Sequence, residues 1–67
     1  MEKRDYAIKL RKSKDLSQTD VVKLLETKKV YVSKQTISNF ENGGFTSEKI
    51  LKSLANIYNV TLDQLLR

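Results

Sequence analysis

Ser33-Lys34-Gln35-Thr36-Ile37-Ser38-Asn39-Phe40-Glu41-Asn42-Gly43 carries two faces at once. At about 100° per residue, Ile37 and Phe40 fall together on one side of a helix, while Gln35, Asn39 and Asn42 gather on the other with Ser38 beside them. One face is apolar and the other is rich in amides. Ser33 is suited to start this helix, because its hydroxyl accepts from the unpaired amides of a first turn, and Gly43-Gly44 supplies the left-handed residue that ends one. Exposed amides at helical spacing, with Lys34 at the N-terminal end, suit bidentate pairing with adenine edges in a major groove and a lysine contact to guanine or phosphate. The same residues are also ordinary components of a solvated surface. These eleven residues alone leave both readings open.

Composition narrows the choice. Sixty-seven residues with no cysteine must be held by one small core, without a disulfide framework or a thiolate metal site. The absence of histidine removes the usual metal ligand and the general base poised near neutral pH, so most hydrolytic and metal-assisted mechanisms lose their commonest parts. The eight carboxylates are scattered over solvent faces and helix starts, and no catalytic constellation, metal set, cofactor motif or small-molecule site is expected. No apolar run is long enough to cross a bilayer and the N-terminus lacks the apolar segment of a secretory signal, so a cytoplasmic protein without membrane contact is expected.

The net charge of +5 is unevenly placed. Residues 1–34 hold ten Lys or Arg against five acids, whereas residues 35–67 hold three against three. Such asymmetry suits a polyanion-facing surface, since each phosphate contact gains from counterion release. Generic solubility is the alternative explanation of a lysine-rich chain.

Outward from the central helix, the pattern predicts four more. Glu2 to Lys14 shows a narrow stripe of Tyr6, Ala7 and Leu10, and Asp15-Leu16 breaks it. Ser17 then opens a helix to Glu26 or Thr27, with Asp20 three positions on as a loose capping box, Val21, Val22 and Leu25 inward, Leu16 as a staple and Gln18 facing out. Thr27 to Val32 reads as a short extended loop in which Val30 and Val32 cover the core, while Lys28, Lys29 and Tyr31 are free either to follow a phosphate backbone or to serve structure. Ser47 to Tyr58 is a helix with Ile50, Leu51, Leu54, Ala55 and Tyr58 inward; Asn59 ends it, and Thr61 with Gln64 boxes a last short helix ending in Leu65-Leu66-Arg67. The result is an all-α domain of five helices spanning 1–67, with no repeat and no linker.

Arg-Lys-x-Lys-x-Leu-Ser-Gln (Arg11 to Gln18), the Ser33 to Gly43 stretch, and Leu-Ala-x-x-Tyr-Asn-Val-Thr-Leu-Asp-Gln-Leu-Leu (Leu54 to Leu66) together resemble the Cro and phage-repressor type of helix-turn-helix, also called the Xre family. The resemblance implies a lambda-repressor-like five-helix fold and sequence-specific binding of double-stranded DNA by a bacterial or phage-encoded transcriptional repressor. Residue by residue, it implies base contacts from Lys34, Gln35 and Asn39, beside which the helical wheel places Ser38 as a further base-contact candidate. It implies phosphate contacts from Gln18, which also braces the recognition helix, and from Asn42; Ser33 and Thr36 in the first turn of that helix are further phosphate candidates, to which the loop reading adds Lys28 and Lys29. Arg11 and Glu41 match a partly buried ion pair that ties the first helix to the end of the third. Glu41 falls on the inward flank beside Phe40, where an unpaired carboxylate is costly.

Two features depart from the family. Leu25 and Ser33 are separated by Glu-Thr-Lys-Lys-Val-Tyr-Val, roughly five residues more than the usual turn, which either lengthens the second helix or makes a protruding loop. After Gly43 the chain has Gly44-Phe45-Thr46 and no proline, so no phosphate contact is carried over to that loop. One such domain offers a small interface, and a homodimer on a two-fold operator is expected, with Phe45, Tyr58, Leu62, Leu65 and Leu66 as apolar residues in excess of what a monomer exposes. A protein-protein adaptor, or an antitoxin that binds both a partner protein and an operator, is the alternative.

Overall fold

In the computed structural model, which describes residues 3–66, the chain forms five helices and no strand among those residues. They are α1 (Asp5–Ser13), α2 (Gln18–Thr27), α3 (Lys34–Glu41), α4 (Glu48–Tyr58) and α5 (Leu62–Leu65). Four of the starts are chemically alike. Ser17, Ser33, Ser47 and Thr61 each accept a backbone N–H through the side-chain oxygen, and Ser17–Asp20 and Thr61–Gln64 are full reciprocal capping boxes. Helix α1 instead follows Arg4, which gives no side-chain cap; Glu2, expected within that helix, lies outside the described residues, as does Arg67.

The ends of α1 to α4 share one device. A residue with positive φ follows each helix, and its own amide and that of the next residue fold back onto the helix's last turn, as in a Schellman motif. The left-handed residues are Asp15, Lys29, Gly43 and Asn59, with φ of 60°, 61°, 92° and 58°. After α2, Lys29 N–H donates to Glu26 C=O at 2.9 Å and Val30 N–H to Leu25 C=O at 3.0 Å. This settles the long connection: α2 runs to Thr27, its end is capped in the left-handed manner without glycine, and only Val30 to Ser33 remains irregular.

Burial orders these pieces into one core. Ala7, Val21, Leu25, Val30, Ile37, Phe40, Leu51, Leu54, Ala55, Tyr58 and Leu65 are buried, with Leu10, Leu16, Val22, Val32, Ile50, Ile57, Val60 and Leu62 packed partly against them. Helix α2 packs on α3 and on α4, α1 on α3, and α4 on α5. Tyr58 is 3% exposed, as the inward stripe of its helix requires and against its place among the surplus apolar residues, and Leu65, expected among those surplus residues, is 0% exposed; both belong to the core. The reason is stoichiometric, since helices of four to eleven residues supply few large side chains and the core takes both.

Candidate nucleic-acid interface

Helix α3 is held at its N-terminus by Ser33, whose Oγ accepts from Thr36 N–H at 3.2 Å and lies 3.1 Å from Thr36 Oγ1. Ile37 and Phe40 anchor it inward. That anchoring turns Lys34, Gln35, Asn39 and Asn42 outward as exposed residues, with Ser38 and Thr36 half-buried beside them. Gln35 Nε2 donates to Asn39 Oδ1 at 2.8 Å, and Asn42 Nδ2 reaches Ser38 Oγ at 3.5 Å. The amides one turn apart are thus already aligned along the helix, each retaining donor or acceptor capacity for another partner.

The only acid on α3 is Glu41, and it is buried. Arg11 Nε donates to its Oε2 at 2.7 Å and Arg11 Nη2 to its Oε1 at 3.1 Å, while Arg11 Nη1 donates to Leu16 C=O at 2.8 Å. The carboxylate's hydrogen bonds raise the Arg11 pKa further, against the opposing cost of burial. Tyr58 lies within the field of this pair, and burial, followed by the Glu41 charge, pushes its phenol up to about 12.

Gln18 joins the network: its Nε2 donates to Glu41 Oε1 at 3.0 Å. The outward orientation expected for it is therefore corrected to a half-buried one. A helical wheel weighted by apolar residues overlooks a buried carboxylate with a free lone pair, which draws the amide in. The second hydrogen on Nε2 and the amide oxygen remain outside this bond. At the start of α2, the N–H of Ser17 donates to the Asp20 carboxylate and holds its pKa below the usual value.

The remaining sequence-derived candidates, Lys28 and Lys29, are exposed at the end of α2. Arg4 was not among the candidates. Its Nη1 donates to Phe40 C=O and Gly44 C=O, each at 2.6 Å, its backbone N–H donates to Glu41 C=O at 2.8 Å, and its guanidinium lies 4.6 Å from the centre of the Phe40 ring. Arg4 is thus a cationic clamp on the negative end of α3. Nothing local marks it among neighbouring basic residues, because the contacts are 36 and 40 positions away.

Surfaces of this kind have a known setting. No curated protein and no solved structure matches the chain, but a family model described as helix-turn-helix matches residues 8–65, from within α1 to the last residue of α5. With α2 and α3 packed as consecutive helices and α3 exposing an amide face, the chain belongs to the helix-turn-helix family of the Cro and repressor type, with its lambda-repressor-like all-α fold and its character as a DNA-binding regulator.

Proposed function

We propose that this protein is a sequence-specific repressor of transcription whose 67 residues act as one cytoplasmic DNA-binding domain, with α3 in the major groove of double-stranded DNA. The observation that carries this reading is the charge economy of α3. Its one carboxylate is buried and neutralised by Arg11, which leaves an outward face of Lys34, Gln35, Ser38 and Asn39 with no negative charge to repel a duplex. Gln35 and Asn39 read adenine edges, and Lys34 reaches guanine or the backbone. Gln18, Ser33, Thr36 and Asn42 hold the register on phosphates, with Gln18 using the amide hydrogen that Glu41 leaves free.

A single face of this size specifies few base pairs, so two copies bind a two-fold operator with half-sites about one helical turn apart. Exposed Phe45 and Leu66 support self-association. The test is selection of bound sequences from a random duplex pool, with the native protein and with the Gln35→Ala, Asn39→Ala double variant. Enrichment of a two-fold site by the native protein alone supports the reading. Equal, sequence-indifferent binding by both defeats it.

A further inference from the structure

Tyr31 has no role in the fold. It is 75% exposed, although the residues on either side are fixed: Val30 is buried and Val32 is packed partly against the core. Burial alternates from Val30 to Ser33 in the way of an extended segment, so Tyr31 and Ser33 share the outward side, and Ser33 caps α3. The aromatic ring is therefore carried on an ordered backbone just ahead of the first turn of α3. Ordering it against a ligand costs little further entropy.

The surroundings of Tyr31 state a charge preference. Lys28 and Lys29 precede it, Lys34 follows it, and Glu26 is the one acid between residues 26 and 34. Lys29 also occupies the left-handed conformation that ends α2, where glycine or asparagine is the easier choice. Asp15 and Asn59, at the matching ends of α1 and α4, are residue types that tolerate this region; lysine gains nothing there for the backbone. What lysine brings to the position is its charge.

We propose that the turn from Lys28 to Val32 is a second contact to duplex DNA, which grips the sugar-phosphate backbone at the edge of the groove that α3 enters. The Tyr31 ring lies against deoxyribose and its hydroxyl donates to a phosphate oxygen, while the Lys28 and Lys29 ammonium groups pair with adjacent phosphates. This rests on α3 being the reading helix, and it explains the length of the connection: the added residues widen the protein's footprint along the backbone. The contact is to phosphate and sugar, so it strengthens binding to every sequence alike.

The test uses the full chain on its selected duplex and on an unrelated duplex, comparing native protein, Tyr31→Phe, Tyr31→Ala, a Lys28→Gln, Lys29→Asn double variant and the Gln35→Ala, Asn39→Ala variant. Tyr31→Ala is expected to weaken binding to both duplexes about tenfold and Tyr31→Phe by part of that. The lysine variant lowers the slope of log affinity against log salt by about two. Phosphate ethylation interference loses its outermost positions in Tyr31→Ala. Thermal unfolding stays at the native value for Tyr31→Ala, because the side chain is exposed. Native affinity and an unchanged ethylation pattern in Tyr31→Ala overturn the proposal, whatever the lysines do. A loss confined to the selected duplex also overturns it, by placing Tyr31 on a base. If the native protein binds neither duplex, the reading of α3 fails first and this contact with it, an outcome distinct from native binding that ignores Tyr31.

Discussion

Glu41 is the residue on which three helices depend. It accepts from Arg11 of α1 and Gln18 of α2 while sitting at the end of α3, so removing it strands a buried guanidinium. Glu41→Ala is expected to cost about 3–5 kcal/mol in urea unfolding, and a joint Arg11→Met, Glu41→Leu replacement to recover most of it, since desolvating the pair offsets its attraction. Equal losses in the single and joint variants would show that the pair stabilises the fold outright. Tyr58 provides a second residue-scale test. Its folded pKa is raised from 10.0 to about 12, so its contribution to stability is fully present below about pH 10 and is lost as pH rises through 12. Tyr58→Phe should flatten that alkaline limb of the stability curve and remove the tyrosinate absorbance step near pH 12; an unchanged limb would assign it to other groups.

Helix starts and helix ends were not equally legible in the sequence. Ser17, Ser33 and Thr61 could be read as caps because the hydroxyl that marks a start bonds an amide only three residues on, and Ser47, read as the first residue of its helix, caps it in the same way. The end at Gly43 was legible for the same local reason. The end at Lys29 was not, because its left-handed backbone is imposed by Val30 burying itself beneath α2 and not by its own side chain. That distinction predicts opposite signs for two exchanges. Lys29→Gly should relieve a left-handed cost of about 1 kcal/mol, partly offset by the entropy of glycine, and raise the melting temperature by a few degrees. Gly43→Ala should lower stability by about 1 kcal/mol. Gly44→Ala should also destabilise for a different reason, because a Cβ there would lie 2.7 Å from the Asn39 carbonyl oxygen. Calorimetry of the three variants separates conformational cost from steric cost.

Across the whole molecule, periodicity misses contacts that join distant segments; the Arg11–Glu41 pair was legible only through the family resemblance. Gln18 turns toward Glu41, 23 positions away, and Arg4 clamps the far end of α3; neither follows from periodicity, which sees only one helix at a time. The same limit applied to self-association. Leu65 sits in a helix too short to show that the shared core needs it, whereas Tyr58 is inward by the stripe of its own helix and buried as that stripe requires, so its place among the surplus apolar residues is the reading that fails. With both inside, Phe45 and Leu66 are the exposed large apolar residues left near the C-terminal half, and a phenyl ring buries about 150–250 Å² at most. Stable dimers bury roughly 1,200–2,000 Å² in all, so these two residues fall well short of holding free copies together. On the two-fold operator proposed above, the DNA supplies the rest by placing two copies side by side. Sedimentation across micromolar concentrations should therefore give a monomer for the free protein and two copies on a two-fold duplex. Phe45→Ser should leave binding to an isolated half-site unchanged while reducing cooperativity on the full site. A free protein that is already dimeric would require an apolar surface larger than these residues offer, and cooperativity indifferent to Phe45 would move the contact elsewhere.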